Sequence, residues 1–342
     1  MKAQLLIGVV AIATALAVAS HVMVSKSAPA QSIPLEVHEA FKDFQAKYDR
    51  FYNSNSEYEY RLGVFHSNLQ RIKEVNSGKF RYRAGVNKFA DLSREEFRAK
   101  YLGVKFTTEP KNFIKADATN DLPKHVDMRE LGAVNPIQDQ KRCGSCWAFS
   151  AAAAMEASYK ILGGPLVKFS EQQMVDCSSS YGNHGCAGGW MDRAYKYITD
   201  FGAELAKDYP YIANVQKCQY NKSLVEAQMT QYYDITPNTP SQLIVFAAQV
   251  TVALAVDAQG LDHYEDGIFD GYCTADLNHG VNIIGYGTSK YGTPYWLGRN
   301  CWGTDWGENG YFRIMRTMED GPGWCGLAVA PSIVAMEKTK GN

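Results

Sequence analysis

The distribution of cysteines is the feature that most constrains how this chain folds. All eight lie between positions 143 and 325, and the first 142 residues contain none. The chain also begins with a basic residue and a short apolar run, which is typical of proteins that enter the secretory pathway. In a secreted protein, cysteines confined to one region predict that this region alone is a disulfide-stabilised domain.

Residues 1–19 are predicted to be a secretory signal peptide. Ala17-Val18-Ala19 ends the apolar run with the small-x-small pattern of a signal-peptidase site, so we expect cleavage after Ala19. An uncleaved membrane anchor is the alternative. However, Ser20 and His21 interrupt the run before the roughly 20 apolar residues that a spanning helix needs. We therefore expect no stable membrane span after cleavage.

Charge divides the rest of the chain into two parts. Residues 20–121 contain 17 Lys and Arg against 13 Asp and Glu, a net of +4, whereas residues 122–342 contain 17 against 23, a net of −6. A basic segment that precedes an acidic domain can dock on it partly by charge attraction. Such modest imbalances also fit two independently solvated surfaces. The sequence has no basic stripe and no phosphate-binding glycine loop, so we expect no nucleic-acid partner.

Residues 33–102 have the periodicity of helices. Six residues recur at spacings of three and four, which places them on one face of a single helix: Glu57, Arg61, Phe65, Asn68, Ile72 and Asn76. Because this face mixes charged, amide and apolar groups, it suits specific polar contacts better than generic packing. Residues 93–96 predict the start of another helix, and residues 103–121 lose the periodicity and are predicted to be an exposed linker.

Residues 122–342 combine helices with strands. Helices are predicted over residues 146–162, from a capping box at Ser170, and over residues 190–201. Beyond Pro240 the pattern is that of strands, at residues 252–256, 279–286, 295–300 and 311–315. Helices first and strands later predict an α+β domain of two lobes, and a cleft between lobes is a natural place for an active site.

Cys146 is the candidate nucleophile of this domain. It begins a predicted helix, where the helix dipole favours the thiolate form, whereas Cys143 lies in the preceding loop and suits a disulfide. A zinc site is not favoured, because the pair has no second closely spaced pair of Cys or His. A cysteine nucleophile needs a base. The histidines that follow are His184, His263 and His279. Of these, His279 opens an apolar strand, but a histidine there also fits a purely structural role.

The motifs around these residues resemble those of the papain family of cysteine peptidases, specifically cathepsin L-like zymogens. Cys143-Gly144-Ser145-Cys146-Trp147 matches the family signature, which has His and Asn about 130–150 residues downstream. His279 and Asn300 lie 133 (279 − 146) and 154 (300 − 146) residues beyond Cys146. Residues 300–303 and 186–189 resemble two further family blocks. The helical face matches the prosegment motif called ERFNIN, and Gly85, Asn87, Phe89 and Asp91 match its companion motif.

This resemblance implies a preproenzyme with a papain-like two-lobed fold. A helical lobe and a β-barrel-like lobe would flank the active-site cleft, preceded by a mainly helical prosegment. The implied organisation is a signal peptide at residues 1–19, an inhibitory propeptide at 20–121, folded over about 33–102, and a mature cysteine peptidase domain at 122–342. Neither a cofactor nor a metal is implied.

The resemblance also assigns roles to individual residues. Cys146 would attack the scissile carbonyl as a thiolate paired with protonated His279, and Asn300 would orient the imidazole. Trp302 would shield that hydrogen bond from water, and Gln140 would stabilise the oxyanion together with the Cys146 backbone N–H. The implied disulfides are Cys143–Cys186, Cys177–Cys218 and Cys273–Cys325. Two departures stand beside these residues, namely Cys301 in place of a serine and Lys141 in place of a glycine.

Substrate preference is implied by the pocket for the second residue before the cut, called P2. The matching positions are apolar or small, and none carries charge: Trp190, Met191, Ala255, Leu277, Gly280 and Ala330. Such a pocket is expected to accept Leu, Phe or Val. Gly188 and Gly189 would let a substrate backbone bind in an extended form. The segment from Cys177 to Cys186 has no long insertion, which favours endopeptidase activity.

The expected function is therefore that of a cysteine endopeptidase, activated by propeptide removal at acid pH. Its partners would be protein and peptide substrates, its own propeptide as an intramolecular inhibitor, and cystatin-like inhibitors, and we expect a monomer. The expected compartment is a lysosome, a digestive vacuole or the extracellular space, and Asn221 is a candidate glycosylation acceptor. Two alternatives remain open, an acyl transferase or ligase on the same scaffold and a non-catalytic, inhibitor-like secreted protein.

Overall fold

The computed structural model of this 342-residue chain describes residues 33–106, 112–117 and 121–338. The predicted signal peptide lies outside the described residues. Within those ranges, no helix is both long and apolar enough to cross a membrane.

The described residues before position 118, here called the amino-terminal segment, form a small helical unit of their own. Its elements are α1 (Leu35–Tyr48), α2 (Asn55–Val75), β1 (Tyr82–Ala84), α3 (Arg94–Tyr101) and β2 (Phe113–Ile114). Side chains of Ser54 and Ser93 cap α2 and α3 by accepting hydrogen bonds from main-chain N–H groups of the first turn. Phe65 of α2 packs on Phe41 and Phe44 of α1, with ring centroids 5.2 Å apart in both contacts.

The polar face of α2 makes the specific contacts that its composition predicts. All six residues of that face lie within α2 or at its carboxyl-terminal cap. Arg61 Nη1 donates to a carboxylate oxygen of Glu96 at 2.6 Å. The buried Asn68 Nδ2 donates to the carbonyls of Ala90 and Leu92 at 2.9 and 3.0 Å. These bonds attach α2 to α3 and to the loop that precedes it, which fixes the position of α3 relative to α2.

Residues 121–338 contribute the remaining helices and strands. The helices are α4 (Cys146–Ile161), α5 (Glu171–Cys177), α6 (Met191–Phe201) and α7 (Pro240–Ala247). The strands are β3 (Val126–Asp127), β4 (Ala203–Glu204), β5 (Val225–Ile235), β6 (Val252–Val256), β7 (Tyr264–Phe269), β8 (His279–Thr288), β9 (Pro294–Arg299), β10 (Tyr311–Met315) and β11 (Ser332–Lys338).

One sheet joins both parts of the chain. Its strand order is β1-β7-β10-β9-β8-β6-β11-β5-β2, with β3 paired to β8 and β4 paired to β5 beside this path. The neighbours along the path are antiparallel except for β7 with β10 and β5 with β2. The amino-terminal segment thus supplies the strand at each end of the order, and it covers edges that would otherwise expose unpaired backbone groups.

Two hydrophobic cores lie on either side of α4. One combines α4 with α5, α6 and residues of β5, β6 and β11, and the other combines the start of α4 with α7 and residues of β6–β10. Nearly every residue of α4 is buried, and its alanine run lets neighbouring elements approach closely. This arrangement is the predicted α+β domain of a helical lobe and a sheet-based lobe, and α4 begins at the boundary between them.

Disulfides join Cys143 to Cys186, Cys177 to Cys218 and Cys273 to Cys325, with S–S distances of 2.02, 2.09 and 2.11 Å. These are the pairs that the resemblance implies. Among the described residues, Cys146 and Cys301 are the free cysteines, and both are buried.

Several local predictions need correction. Residues 240–247 form helix α7, with Pro240 in its first turn, rather than part of the strand region. Ser170 does cap α5, but the Gln173 side chain donates to the Tyr197 hydroxyl and the Gly202 carbonyl instead of closing a capping box. Strands β5, β7 and β11 were not predicted, although the first six residues of β5 alternate between apolar and polar side chains.

Candidate active site

Cys146 is the first residue of α4 and lies at the boundary between the lobes. Ser145 precedes the helix, and its hydroxyl lies 2.6 Å from the hydroxyl of Tyr211. The Gly144 N–H donates to the Cys186 carbonyl at 3.0 Å, next to the Cys143–Cys186 disulfide. The loop that leads into α4 is therefore fixed on both sides, which places the Cys146 thiol at the positive end of the helix dipole.

His279 begins β8 and is hydrogen-bonded to Asn300. The distance between His279 Nε2 and Asn300 Oδ1 is 2.8 Å. The ring of Trp302 lies over the imidazole, with centroids 4.4 Å apart, so both partners of this bond are shielded from water. Gly280 lies against Cys146, because a Cβ atom added to it would be 3.1 Å from the Cys146 carbonyl oxygen. Sheet and helix thus bring His279 and Cys146 to one place.

Gln140 lies beside these residues, fully buried. Its Nε2 donates to the carbonyls of Tyr101 at 3.2 Å and Cys143 at 2.7 Å. Its Oε1 accepts from Cys301 Sγ and Trp302 Nε1 at 3.0 and 3.1 Å. Every position of the side-chain amide is therefore occupied, and one of its N–H groups points at a backbone oxygen from the amino-terminal segment.

Burial keeps the candidate nucleophile and base uncharged in this structure. Burial raises the pKa of the Cys146 thiol, although nearby main-chain groups of Gly280, Gly103 and Trp147 oppose the shift. Burial lowers the pKa of His279 to about 4, against the opposing effect of the Asn300 hydrogen bond and the Tyr101 carbonyl. Among the described residues, His279 Nδ1 has no hydrogen-bond partner of normal geometry. While the site is covered, burial thus favours the neutral thiol and imidazole over the thiolate–imidazolium pair expected from the sequence.

The amino-terminal segment covers the site with an extended stretch of backbone. The Gly103 carbonyl accepts from Gly189 N–H at 2.9 Å, and Lys105 N–H donates to the Gly189 carbonyl at 3.1 Å. Val104 N–H donates to the Asn278 carbonyl at 3.0 Å. This pairing of Val104 with Gly189 is parallel. Residues 103–106 were predicted to be an exposed linker. Lys105 and Phe106 are exposed, whereas Gly103 is buried and Val104 half-buried because backbone groups of residues 103–105 bond to the cleft.

Comparison with known proteins agrees with this geometry. Residues 122–335 match the family model described as papain family cysteine protease, and residues 41–97 match the cathepsin propeptide inhibitor domain. The chain belongs to the papain family of cysteine proteases. We therefore call the amino-terminal segment the propeptide.

Relatives and solved structures support the same assignment. Fruit bromelain from Ananas comosus is 38% identical over 298 residues, covering 85% of this chain and 84% of that protein. The structure of a recombinant stem bromelain precursor matches with a TM-score of 0.82 and 35% identity, covering 88% of this chain and 99% of that one. A digestive procathepsin L 3 from the larval midgut of Tenebrio molitor matches with a TM-score of 0.80 and 36% identity, covering 89% of this chain and all of that one (100%).

Gly188 lets the propeptide approach the protease closely, and Gly189 lets the cleft wall pack against Trp147. A Cβ atom on Gly188 would lie 2.7 Å from the Gly103 carbonyl oxygen, and one on Gly189 would lie 2.7 Å from the Trp147 ring. The φ angle of Gly188 is +111°, which side chains rarely allow. Glycine is thus required here both for backbone conformation and for space.

The predicted P2-pocket residues are brought together in the core of the helical lobe. The larger of them belong to one buried cluster, and Val104 of the propeptide packs against it: Trp190, Met191, Ala255, Leu277 and Ala330. Phe106 makes an edge-to-face contact with the Trp190 ring, at a centroid distance of 5.1 Å. The sequence did not predict that Tyr101 and Val104 of the propeptide contact the site. The apolar residues at the end of α3 and just after it are the signal that could have identified them.

Proposed function

We propose that this protease is an endopeptidase in which Cys146 is the nucleophile and His279 the general acid and base. The observation that supports it best is the propeptide backbone itself, which binds across Cys146 through Gly189 and Asn278. A cleft that holds one extended peptide in this way can hold a substrate. When the propeptide leaves, water returns and the burial that keeps both groups neutral is relieved. The thiolate–imidazolium pair can then form.

The chemistry uses the bonds already described. The Cys146 thiolate attacks the scissile carbonyl carbon, forming a C–S bond, while Gln140 Nε2 and the Cys146 main-chain N–H donate to the oxyanion. His279 then gives its proton to the leaving amine as the C–N bond breaks. Asn300 holds the imidazole in orientation through the 2.8 Å bond. Water, deprotonated by His279, releases the acyl group and restores the thiol.

A preference for aliphatic residues at P2 follows from the pocket. Its residues carry no charge, and Val104 of the propeptide packs against the buried cluster to which most of them belong. A branched aliphatic side chain of similar size is expected to fit, because burying apolar surface in this site gains about 25 cal/mol per Å². A charged P2 residue would lose hydration without gaining a partner.

Propeptide release at acid pH is the proposed mode of activation. Ion pairs cross the boundary between propeptide and protease, and in each the base belongs to the propeptide: Arg71–Asp262, Arg81–Asp270, Arg83–Glu265, Lys88–Asp139 and Arg98–Asp276. Basic partners in the propeptide and acidic partners in the protease agree with the net charges that the sequence gives for the two parts of the chain. Protonation of carboxylates at acid pH removes such attractions, so we propose conversion to a chain that begins near Leu122.

Passage through the secretory pathway is proposed from the leader and the disulfides, with a vacuolar, lysosomal or extracellular destination. Asn221 is exposed, and its Oδ1 accepts hydrogen bonds from the Ser223 main chain and hydroxyl. It is the proposed glycosylation acceptor. Neither a ligase activity nor a non-catalytic role is favoured by an observation in the structure.

The test is a fluorogenic peptide assay on acid-treated protein, with Cys146→Ala as the matched variant. We expect hydrolysis by the parent and a loss of at least about 1,000-fold in Cys146→Ala, whose proform should remain folded because a thiol at a helix start contributes reactivity more than packing. A peptide series that varies only P2 should favour Val and Leu over Arg and Glu. Turnover by Cys146→Ala near the parental rate would reject the catalytic assignment.

A further inference from the structure

A second cysteine contacts the proposed oxyanion donor. The buried Cys301 thiol donates to Gln140 Oε1 at 3.0 Å, and Trp302 Nε1 donates to the same oxygen at 3.1 Å. The main chain is held as well, because Gln140 N–H donates to the Cys301 carbonyl at 2.8 Å. Residues 301 and 302 thus hold Gln140 at both its backbone and its side chain.

These contacts determine which end of the Gln140 amide faces the cleft. With Oε1 held by two donors, Nε2 is directed at the carbonyls of Cys143 and Tyr101. Turning the amide by half a turn would place its NH₂ against two donors and its oxygen against two carbonyls. Four hydrogen bonds would be lost at once, and buried groups would be left unsatisfied.

Burial favours the protonated form of the Cys301 thiol, which is the form that donates. Burial, together with the neighbouring Cys146, raises the pKa of Cys301 well above its usual value. A thiol in these surroundings stays protonated and unreactive, which suits a structural donor and not a second nucleophile.

We propose that Cys301 is a positioning residue of the oxyanion hole, acting through Gln140. This inference rests on the proposed role of Gln140. Cys301 does not itself bond to substrate. Its donated hydrogen bond holds the glutamine amide so that Nε2 already points at the oxyanion before the oxyanion forms, which is the preorganisation that such sites require.

The experiment compares Cys301→Ala, which removes the donor, with Cys301→Ser, which keeps one. Each is made in the parent and in a Gln140→Ala background, and kcat and KM are measured on the mature enzyme. We expect Cys301→Ala to lower kcat about two- to tenfold with little change in KM, as the loss of one hydrogen bond predicts. Cys301→Ser should restore most of this loss. In the Gln140→Ala background, Cys301→Ala should have no further effect.

Two inhibitors distinguish a loss of Gln140 positioning from general damage to the active site. A peptide aldehyde forms a tetrahedral adduct with an oxyanion, so its inhibition constant should weaken with kcat in Cys301→Ala. Iodoacetamide alkylates Cys146 without forming an oxyanion, so its rate should stay parental. A slowed alkylation would show that Cys301 affects the nucleophile instead, and the proposal would be wrong.

The outcomes distinguish the positioning role of Cys301 from the oxyanion role of Gln140 on which it rests. Parental kcat in Gln140→Ala would reject the role of Gln140. A clear loss in Gln140→Ala, with parental kcat in Cys301→Ala or an equal Cys301→Ala loss in both backgrounds, would reject the positioning role alone. If Cys301→Ala does not fold, Cys301→Val fills the same buried space without a donor and carries the same expectations.

Discussion

The carbonyl of Tyr101 accepts a hydrogen bond from Gln140 Nε2 at 3.2 Å, and Tyr101 is the last residue of propeptide helix α3. The same residue packs its ring on Phe89, at a centroid distance of 4.7 Å, and Phe89 in turn packs on Trp302 at 5.4 Å. The end of α3 is therefore attached to the catalytic site by both main chain and side chain. Any loosening of α3 uncovers Gln140 and Trp302 together.

His279→Ala and Asn300→Ala should differ in severity. Removing the base should lower kcat/KM by about 1,000-fold or more, whereas removing the orienting amide should cost about 10- to 100-fold, the effect of one buried hydrogen bond. Asn300→Gln tests geometry alone. Steady-state kinetics on the mature variants would measure these losses, and a larger loss in Asn300→Ala than in His279→Ala would show that the roles are wrongly distributed.

Arg71→Gln should weaken propeptide binding much more than Arg83→Gln. Arg71 Nη2 bonds to both carboxylate oxygens of the buried Asp262, at 3.0 and 2.9 Å. Removing it leaves a buried charge unpaired, for a cost of about 2 kcal/mol. The Arg83–Glu265 pair is exposed on both sides and such pairs contribute little. The proform with Arg71→Gln should convert faster than the parent near neutral pH, and the proform with Arg83→Gln should convert at the parental rate. Equal rates would contradict the ranking.

His263→Gln should shift conversion to lower pH. His263 is buried under the propeptide, and burial lowers its pKa. Arg71 and Arg94 act in the same direction, and Asp262 opposes them. The adjoining cavity is also lined by Glu74 and Lys79. The pKa of His263 is lower when the propeptide is bound than the ordinary histidine value of about 6.5. The bound state is therefore stable above that pH. As pH falls below it, protonation favours the state without bound propeptide, and this stability is lost. A histidine that cannot charge should keep the propeptide bound longer.

The measurement for His263 uses proforms that also carry Cys146→Ala, so that only a trace of added active enzyme performs the cut. Gel analysis and N-terminal sequencing across pH 3.5–6.5 would give the midpoint of conversion. His66→Gln, at a position on the outer side of α2, serves as the control and should leave the midpoint unchanged. An identical midpoint in His263→Gln would exclude this histidine as a contributor.

Lys141→Gly should stabilise the protease by about 0.5–1 kcal/mol. Lys141 has a φ angle of +54°, a conformation that costs a side-chain-bearing residue about 1–2 kcal/mol. The greater freedom of glycine in the unfolded chain offsets part of this gain. Thermal unfolding in the Cys146→Ala background avoids self-digestion and should show a rise of a few degrees. A fall would mean that the Lys141 side chain contributes more than its backbone costs.

Ala330→Glu should raise cleavage after P2 Arg relative to P2 Leu. Ala330 is buried in the apolar cluster against which Val104 packs, and a carboxylate there can pair with a guanidinium. The ratio of kcat/KM for two peptides that differ only at P2 would report the change. An unaltered ratio would place Ala330 outside the pocket.

Local patterns predicted several of the helices, although α7 was missed. The face of α2, the start of α3 and the extent of α4 follow from spacing and capping residues that act within a few positions. His279 and Asn300 were placed by resemblance, because nothing local shows that two strand ends meet at a helix start. Their meeting depends on sheet register, which is set by many distant contacts.

The parts that the sequence did not predict depend on a partner surface. Residues 103–106 have no periodicity of their own, and they are extended because Gly189 and Asn278 offer backbone partners. Strands β1 and β2 are two or three residues long and form only by pairing at the ends of the sheet order. The contact between Cys301 and Gln140 spans 161 positions, beyond the reach of any motif.

The propeptide reaches the cleft while it is still joined to the protease through residues 107–121. This covalent connection makes the binding of inhibitor to target intramolecular, so its extent is independent of the concentration of the protein itself. Dilution therefore has no effect on the intact chain. One cut in the joining stretch makes the complex bimolecular, and the volume into which the enzyme is delivered then determines how much of it is free.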